Sequence, residues 1–139
     1  MPARRRRLPQ KKAEVRNRNG AEGAVWRRIV QSVISRDFGI CWICKHPGAN
    51  SGDHVVPVAE SPGLALAPSN IKAVHAYSRS DPGGCPVCSP AALARGGKPV
   101  YCNEIRGALS AERARRIIEE RTGLKLPGTA KAAGGEREW

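Results

Sequence analysis

Cys41-Trp42-Ile43-Cys44, then Asp53-His54-Val55-Val56-Pro57, then Asn70-Ile71-Lys72-Ala73-Val74-His75, then Cys102-Asn103-Glu104-Ile105-Arg106-Gly107: the reading of these four pieces decides the fold. The first is a thiolate knuckle, whose spacing lets backbone amides turn toward the sulfurs and suits a tetrahedral metal. A second knuckle, Cys85-Pro86-Val87-Cys88, has the same form. Two such pairs close one structural Zn²⁺ site, and Cys41, Cys44, Cys85 and Cys88 are the favoured ligands. Cys102 is the first substitute for one of the later pair, and His75 is another, since imidazole also ligates zinc. His46, beside the first knuckle, reads as a loop residue. An odd count of five cysteines argues against a closed set of disulfides.

Around these pieces the chain shows a coarse order. Residues 1–20 carry Arg4 to Arg7, Lys11, Lys12, Arg16 and Arg18 against the single acid Glu14, and read as a disordered basic arm. Residues 21–38 place Val25, Trp26, Ile29, Val30, Val33 and Ile34 on one stripe, which predicts an amphipathic helix stopped at Gly39. Trp26 reads as a core residue rather than a base-stacking one. Residues 45–52 read as loop. Residues 53–59 read as a short strand, with Pro57 confining it to an edge or ending it. Residues 61–69 form a connection, and 70–74 a second short extended segment. Residues 76–101 are rich in Gly, Pro and Ser and read as irregular. A helix is expected to begin near Cys102–Asn103. Another spans 111–121, capped by Ser110 and ended by Gly123, with Ala114, Ile117, Ile118 and then Leu124 facing inward. Residues 127–139 read as a flexible tail.

The 139 residues have room for one domain, and their aromatic content of three Trp, two Tyr and one Phe implies a thin core. A domain this lean is expected to rely on a metal for stability. The 24 Lys and Arg outnumber 12 Asp and Glu, giving a net charge of +12 and a pI near 10.3. Such a balance attracts polyanions, nucleic acid before membrane. No apolar run is long enough to span a bilayer, and the basic N-terminal stretch lacks the apolar segment of a secretory signal. The expected compartment is a reducing cytoplasm.

The four pieces, in this order, resemble the HNH endonuclease family, also called the ββα-metal or His-Me finger group. The resemblance covers roughly residues 36–108, and is most like the small members encoded by tailed phages. It implies a small α+β fold: a ββα-metal finger with a structural zinc, preceded by the amphipathic helix, within a domain spanning 21–126. It implies a metal-dependent endonuclease that nicks or cleaves DNA, in the bacterial host cytosol if phage-encoded. Phage DNA processing or packaging is the associated setting, with packaging proteins such as terminase as possible partners beside DNA.

The resemblance also assigns roles. His54 is the general base, since an unperturbed imidazole titrates near neutrality. Asp53 precedes it on the strand and points to the other side. Asp53 and Asn103 are the ligands of a catalytic Mg²⁺ or Mn²⁺, because hard oxygens suit these ions. Asn70 holds the His54 region by amide hydrogen bonds. Arg106 matches a family Lys or Arg and contacts the phosphate, while Arg27 and Arg28 add non-specific backbone affinity. Asn103 stands where many members carry His. The gap between Asn70 and Asn103 is longer than usual in the family. The alternative is a zinc-ribbon DNA-binding module without catalysis, which leaves Asp53, His54 and Asn103 without a role.

Overall fold

The computed structural model describes residues 21–128. The expected basic arm, and all of the expected tail beyond Gly128, lie outside these residues. Among the described residues the chain is a small α+β unit with four α-helices and a two-stranded antiparallel sheet. In chain order these are α1 (Ala21–Arg36), β1 (Ser51–His54), β2 (Ile71–Val74), α2 (Cys88–Ala94), α3 (Cys102–Arg106) and α4 (Ala111–Thr122). Two 3₁₀ turns, Pro62–Leu64 and Pro68–Asn70, punctuate the connection between the strands. Among the described residues no helix is long and apolar enough to cross a membrane.

The α1 stripe does what its period requires. Val30 and Val33 are buried, and Trp26, Ile29 and Ile34 pack partly buried against the core. The helix stops where the backbone turns left-handed at Phe38 and Gly39, and the Gly39 amide donates back to the Ile34 carbonyl at 2.8 Å. α1 lies over both strands. Gly52 permits that approach, because a Cβ there would meet Ile71 Cγ2 at 2.8 Å and Val30 Cγ2 at 3.1 Å. The end of α1 is pinned to β2. Arg36 donates to the carbonyls of Pro68 and Ile71, at 2.9 and 2.7 Å, and pairs with Asp37 at 2.7 Å. The Ala73 amide donates to the same Asp37 carboxylate at 3.1 Å. The Arg36 hydrogen bond holds the Asp37 carboxyl below its ordinary range.

The strands differ from the sequence expectation. β1 starts at Ser51 and ends at His54, where 53–59 was the expected span. It pairs with β2 in the register Ser51↔Val74 to His54↔Ile71. Beyond His54 the chain leaves the sheet because a side chain takes over the pairing. The Asn70 amide oxygen accepts from the Val56 N–H at 2.8 Å, and its nitrogen donates to the Val56 carbonyl at 3.0 Å. α2 is a second departure, a helix inside a segment expected to be irregular. Its proline, Pro90, falls in the first turn, where no intrahelical N–H is needed.

α4 follows its expected course. The Ser110 hydroxyl accepts from the Arg113 amide at 3.1 Å, and Gly123, left-handed at φ 76°, donates to the Glu119 carbonyl. Ala114, Ile118 and Leu126 are buried, while Ile117 and Leu124 are only partly so. α4 packs on α2 and α3. Its buried Arg115 donates to the carbonyls of Ile43, in the first knuckle, and Pro127. The centre of the molecule is thus apolar side chains wrapped around all five cysteines, each fully buried.

Candidate metal centre and the adjoining polar cluster

All five cysteines are free thiols. They fall into two groups of ligand atoms that could each hold a metal ion. Cys41, Cys44, His75 and Cys102 form one; Cys44, His46, Cys85 and Cys88 form the other. This corrects the expected set of Cys41, Cys44, Cys85 and Cys88. Cys41 gathers instead with both of the substitutes, His75 and Cys102. The cause is topology: the end of β2 delivers His75 and the start of α3 delivers Cys102 to the first knuckle, while the second knuckle gathers with Cys44 and His46. His46, expected to be a loop residue, lies in the second of these groups. Its Nδ1 lies 3.3 Å from Cys88 Sγ and 3.6 Å from Cys85 Sγ. Its place two residues after Cys44 was a signal available in the sequence.

The ring of His75 is oriented by a carbonyl. Its Nε2 is 2.9 Å from the Pro47 oxygen, which can only accept, so Nε2 carries a hydrogen and Nδ1 is the nitrogen left to face the sulfurs. Nδ1 faces Cys44 Sγ at 3.5 Å and Cys102 Sγ at 3.6 Å. A carbonyl behind the ring is the usual means of fixing a ligating imidazole. Knuckle amides point at sulfur, Ile43 N to Cys41 at 3.4 Å and Cys88 N to Cys85 at 3.2 Å.

The proton balance of the cluster shows why it suits a cation. Hydrogen bonds from Cys102 and Cys44 hold the Cys41 thiol far below its ordinary value, and Cys44 and Cys88 do the same for Cys85. The Cys44 thiol is correspondingly pushed up by Cys102 and Cys41, and the Cys102 thiol is raised to about 11, chiefly by Cys41. Burial opposes charge on His75, but its hydrogen bonds to Cys102, Cys41 and Cys85 raise it to about 12. Without a metal, some thiols keep protons so that others can ionise. A divalent ion would replace those protons, so its affinity rises with pH.

Against this centre lies a polar cluster built from the end of β1, the loop after it and α3. The Asp53 and His54 side chains have separate surroundings. Asp53 Oδ2 accepts from Trp42 Nε1 at 3.0 Å and from an Arg106 terminal nitrogen at 3.3 Å. Burial pushes the Asp53 carboxyl up, against the lowering pull of Trp42, Arg106 and His54. His54 stacks on Trp26 with ring centroids 5.1 Å apart and planes at 27°. Its Nε2 is 2.8 Å from the Ala65 carbonyl oxygen, so that nitrogen also carries the hydrogen. Nδ1 is then the acceptor of the neutral ring. Asn70, buried, ties both ends of the loop that presents Ala65, donating to Leu64 O at 3.4 Å as well as bonding Val56.

On α3, the Asn103 amide N–H donates to the His75 carbonyl at 3.1 Å, joining this cluster to the metal centre. Its side-chain Oδ1 is buried without a hydrogen-bond partner. Arg106 has other partners than the expected phosphate. Its terminal nitrogens donate to the carbonyls of His54 and Val55, at 2.9 and 3.0 Å, and its guanidinium covers the Trp42 ring at 5.0 Å. It clamps α3 to the end of β1. Arg27 and Arg28 are exposed on α1, and Arg27 lines a shallow groove with Trp26, Asn50 and Ser51. Trp26 and Trp42, which frame His54 and Asp53, carried no site signal in the sequence beyond their aromatic character.

No family model, curated protein or solved structure gives a significant match to this chain.

Proposed function

We propose that the chain is a metal-dependent endonuclease of the HNH type, acting on DNA phosphodiester bonds. The observation that carries this reading is the setting of His54. A carbonyl holds Nε2–H, leaving Nδ1 as the atom able to take a proton from water. Asn70 supports that arrangement from behind, by bracing the loop on which the carbonyl sits. It is a positioning residue in this scheme. Two unpartnered acceptors support the divalent ion of this reading. Asn103 Oδ1 is a buried acceptor with no donor, and both protein donors to Asp53 share its Oδ2, which leaves Oδ1 for a cation. Mg²⁺ or Mn²⁺ bound there supplies charge relief to the phosphate and to the departing 3′ oxygen. The chain's own part is to hold these oxygens, keep His54 Nδ1 free, and attract the backbone of DNA through its excess positive charge. A phage DNA-processing or packaging setting, with DNA and packaging proteins as partners, belongs to the same proposal.

A second reading, a DNA-binding module without catalysis, draws on the Asp53–Arg106 ion pair, in which an arginine already serves the carboxylate. The first is preferred because a module without catalysis leaves the buried, unpartnered Asn103 Oδ1 and the carbonyl-held His54 ring without a role.

Incubation of supercoiled plasmid with the protein and Mg²⁺ or Mn²⁺ separates the two. The expected result is nicking that needs the ion. Asp53→Ala and Asn103→Ala are expected to weaken it by about 10-fold or more, with partial recovery at raised Mn²⁺. DNA binding without cutting under every metal condition supports the module.

A further inference from the structure

We propose that the chain holds two zinc ions at once, joined by the thiolate of Cys44 as a bridging ligand. The two groups of donors share that one sulfur and no other atom. Cys41, Cys102 and His75 Nδ1 would complete the first ion. Cys85, Cys88 and His46 Nδ1 would complete the second. Each ion then has four ligands, the closed tetrahedral set of a structural zinc. Separate sites would need an eighth donor, and the two groups together offer seven.

The spacings fit two tetrahedra meeting at a vertex. Zn–S bonds of about 2.3 Å and Zn–N bonds of about 2.0 Å put two sulfurs roughly 3.8 Å apart and sulfur roughly 3.5 Å from nitrogen. Around the first centre, His75 Nδ1 is 3.5 Å from Cys44 Sγ and 3.6 Å from Cys102 Sγ. Around the second, Cys44 Sγ is 3.8 Å from Cys85 Sγ, and His46 Nδ1 is 3.3 and 3.6 Å from Cys88 and Cys85.

The second ion also answers a need of the fold. Between Tyr77 and Tyr101 the buried residues are Cys85, Cys88, Ser89, Ala92 and Val100. Two small cysteines, a serine, an alanine and a single valine make too little apolar core to seat that excursion by packing. A metal bond to Cys85 and Cys88 would do so, and the bridge through Cys44 would lock the excursion to the first knuckle. The odd number of cysteines then has a reason, because one sulfur serves twice. None of this depends on the chain being a nuclease.

The test uses the full chain as purified. Native mass spectrometry and elemental analysis are expected to give two zinc ions per chain. Protein produced with ¹¹³Cd in place of zinc is expected to give two cadmium resonances that are coupled to each other, both correlated with the Cys44 β-protons. One ion per chain, or two resonances with no shared cysteine, overturns the proposal. Since Cys44→Ser removes a ligand from both ions and is apt to unfold the chain, Cys88→Ser provides the second arm. It is expected to lower the tightly held metal from two ions to one, with Cys44 then coupled to a single cadmium. Retention of two equally tight ions by Cys88→Ser overturns the proposal as well.

Discussion

Replacing His54 with alanine is expected to lower the single-turnover rate of metal-dependent plasmid nicking by about 10²–10⁴-fold, the usual contribution of a positioned general base. The substitution removes the Nδ1 acceptor and leaves the oxygens of Asp53 and Asn103 in place. Affinity for Mn²⁺ should therefore be nearly unchanged, and added Mn²⁺ should not restore the rate. Free imidazole in the buffer should restore part of it, since the missing group is a base. The change also removes the ring from Trp26 and the hydrogen bond to Ala65. Thermal unfolding should accordingly be followed beside activity. A small loss of stability with a large loss of rate is the expected pair. Rescue by added metal rather than imidazole would show that His54 serves the ion instead of the water.

Removal of the structural metal is expected to unfold the domain. Each of the five cysteines is fully buried, and His75 is 1% exposed, so the metal cluster occupies the place of a hydrophobic core. Structural zinc contributes about 10–16 kcal/mol of apparent binding free energy in small domains. That is as large as the whole stability of an ordinary domain, about 5–15 kcal/mol. A strong chelator should therefore abolish the near-ultraviolet circular dichroism of Trp26 and Trp42, and zinc under reducing conditions should restore it. Acidification should act in the same direction, because protons compete with the ion for thiolates and imidazole. An unchanged melting curve in excess chelator would contradict this account of the core.

The sequence carried the ingredients of the metal centre more clearly than their arrangement. Spacing alone identifies Cys41 and Cys44, and Cys85 and Cys88, as knuckles, because a C-x-x-C geometry is local. Which knuckle meets which histidine is set by how the residues between Asn70 and Cys102 close back on the core, and that closure is long-range. From local spacing His75 and Cys102 are therefore only substitutes, and His46 reads as a loop residue.

The strand boundary failed for a related reason. Val55 and Val56 have the branched side chains of a strand, yet the partner at Val56 is the Asn70 side chain rather than a strand backbone. α2 was hidden by its proline and by the flanking Gly96 and Gly97, although Ala91, Ala92 and Leu93 favour a helix. By contrast, α1 and α4 were legible, since their apolar stripes and end signals agree at every level. Asp53, His54 and Arg106 stand out in the sequence pattern, and the structure brings these three together. That Arg106 turns inward to grip β1, and that Trp42 donates to Asp53, depend on tertiary packing that no local pattern reports.

The central claim is that one ion joins β1 to α3 beside His54. Anomalous diffraction at the manganese edge, from crystals of the zinc-loaded protein grown with Mn²⁺, tests it most directly. The account predicts one manganese peak touching oxygens of both Asp53 and Asn103, with His54 Nδ1 facing it across a water. Manganese bound elsewhere, or none while Arg106 still holds Asp53, would contradict it.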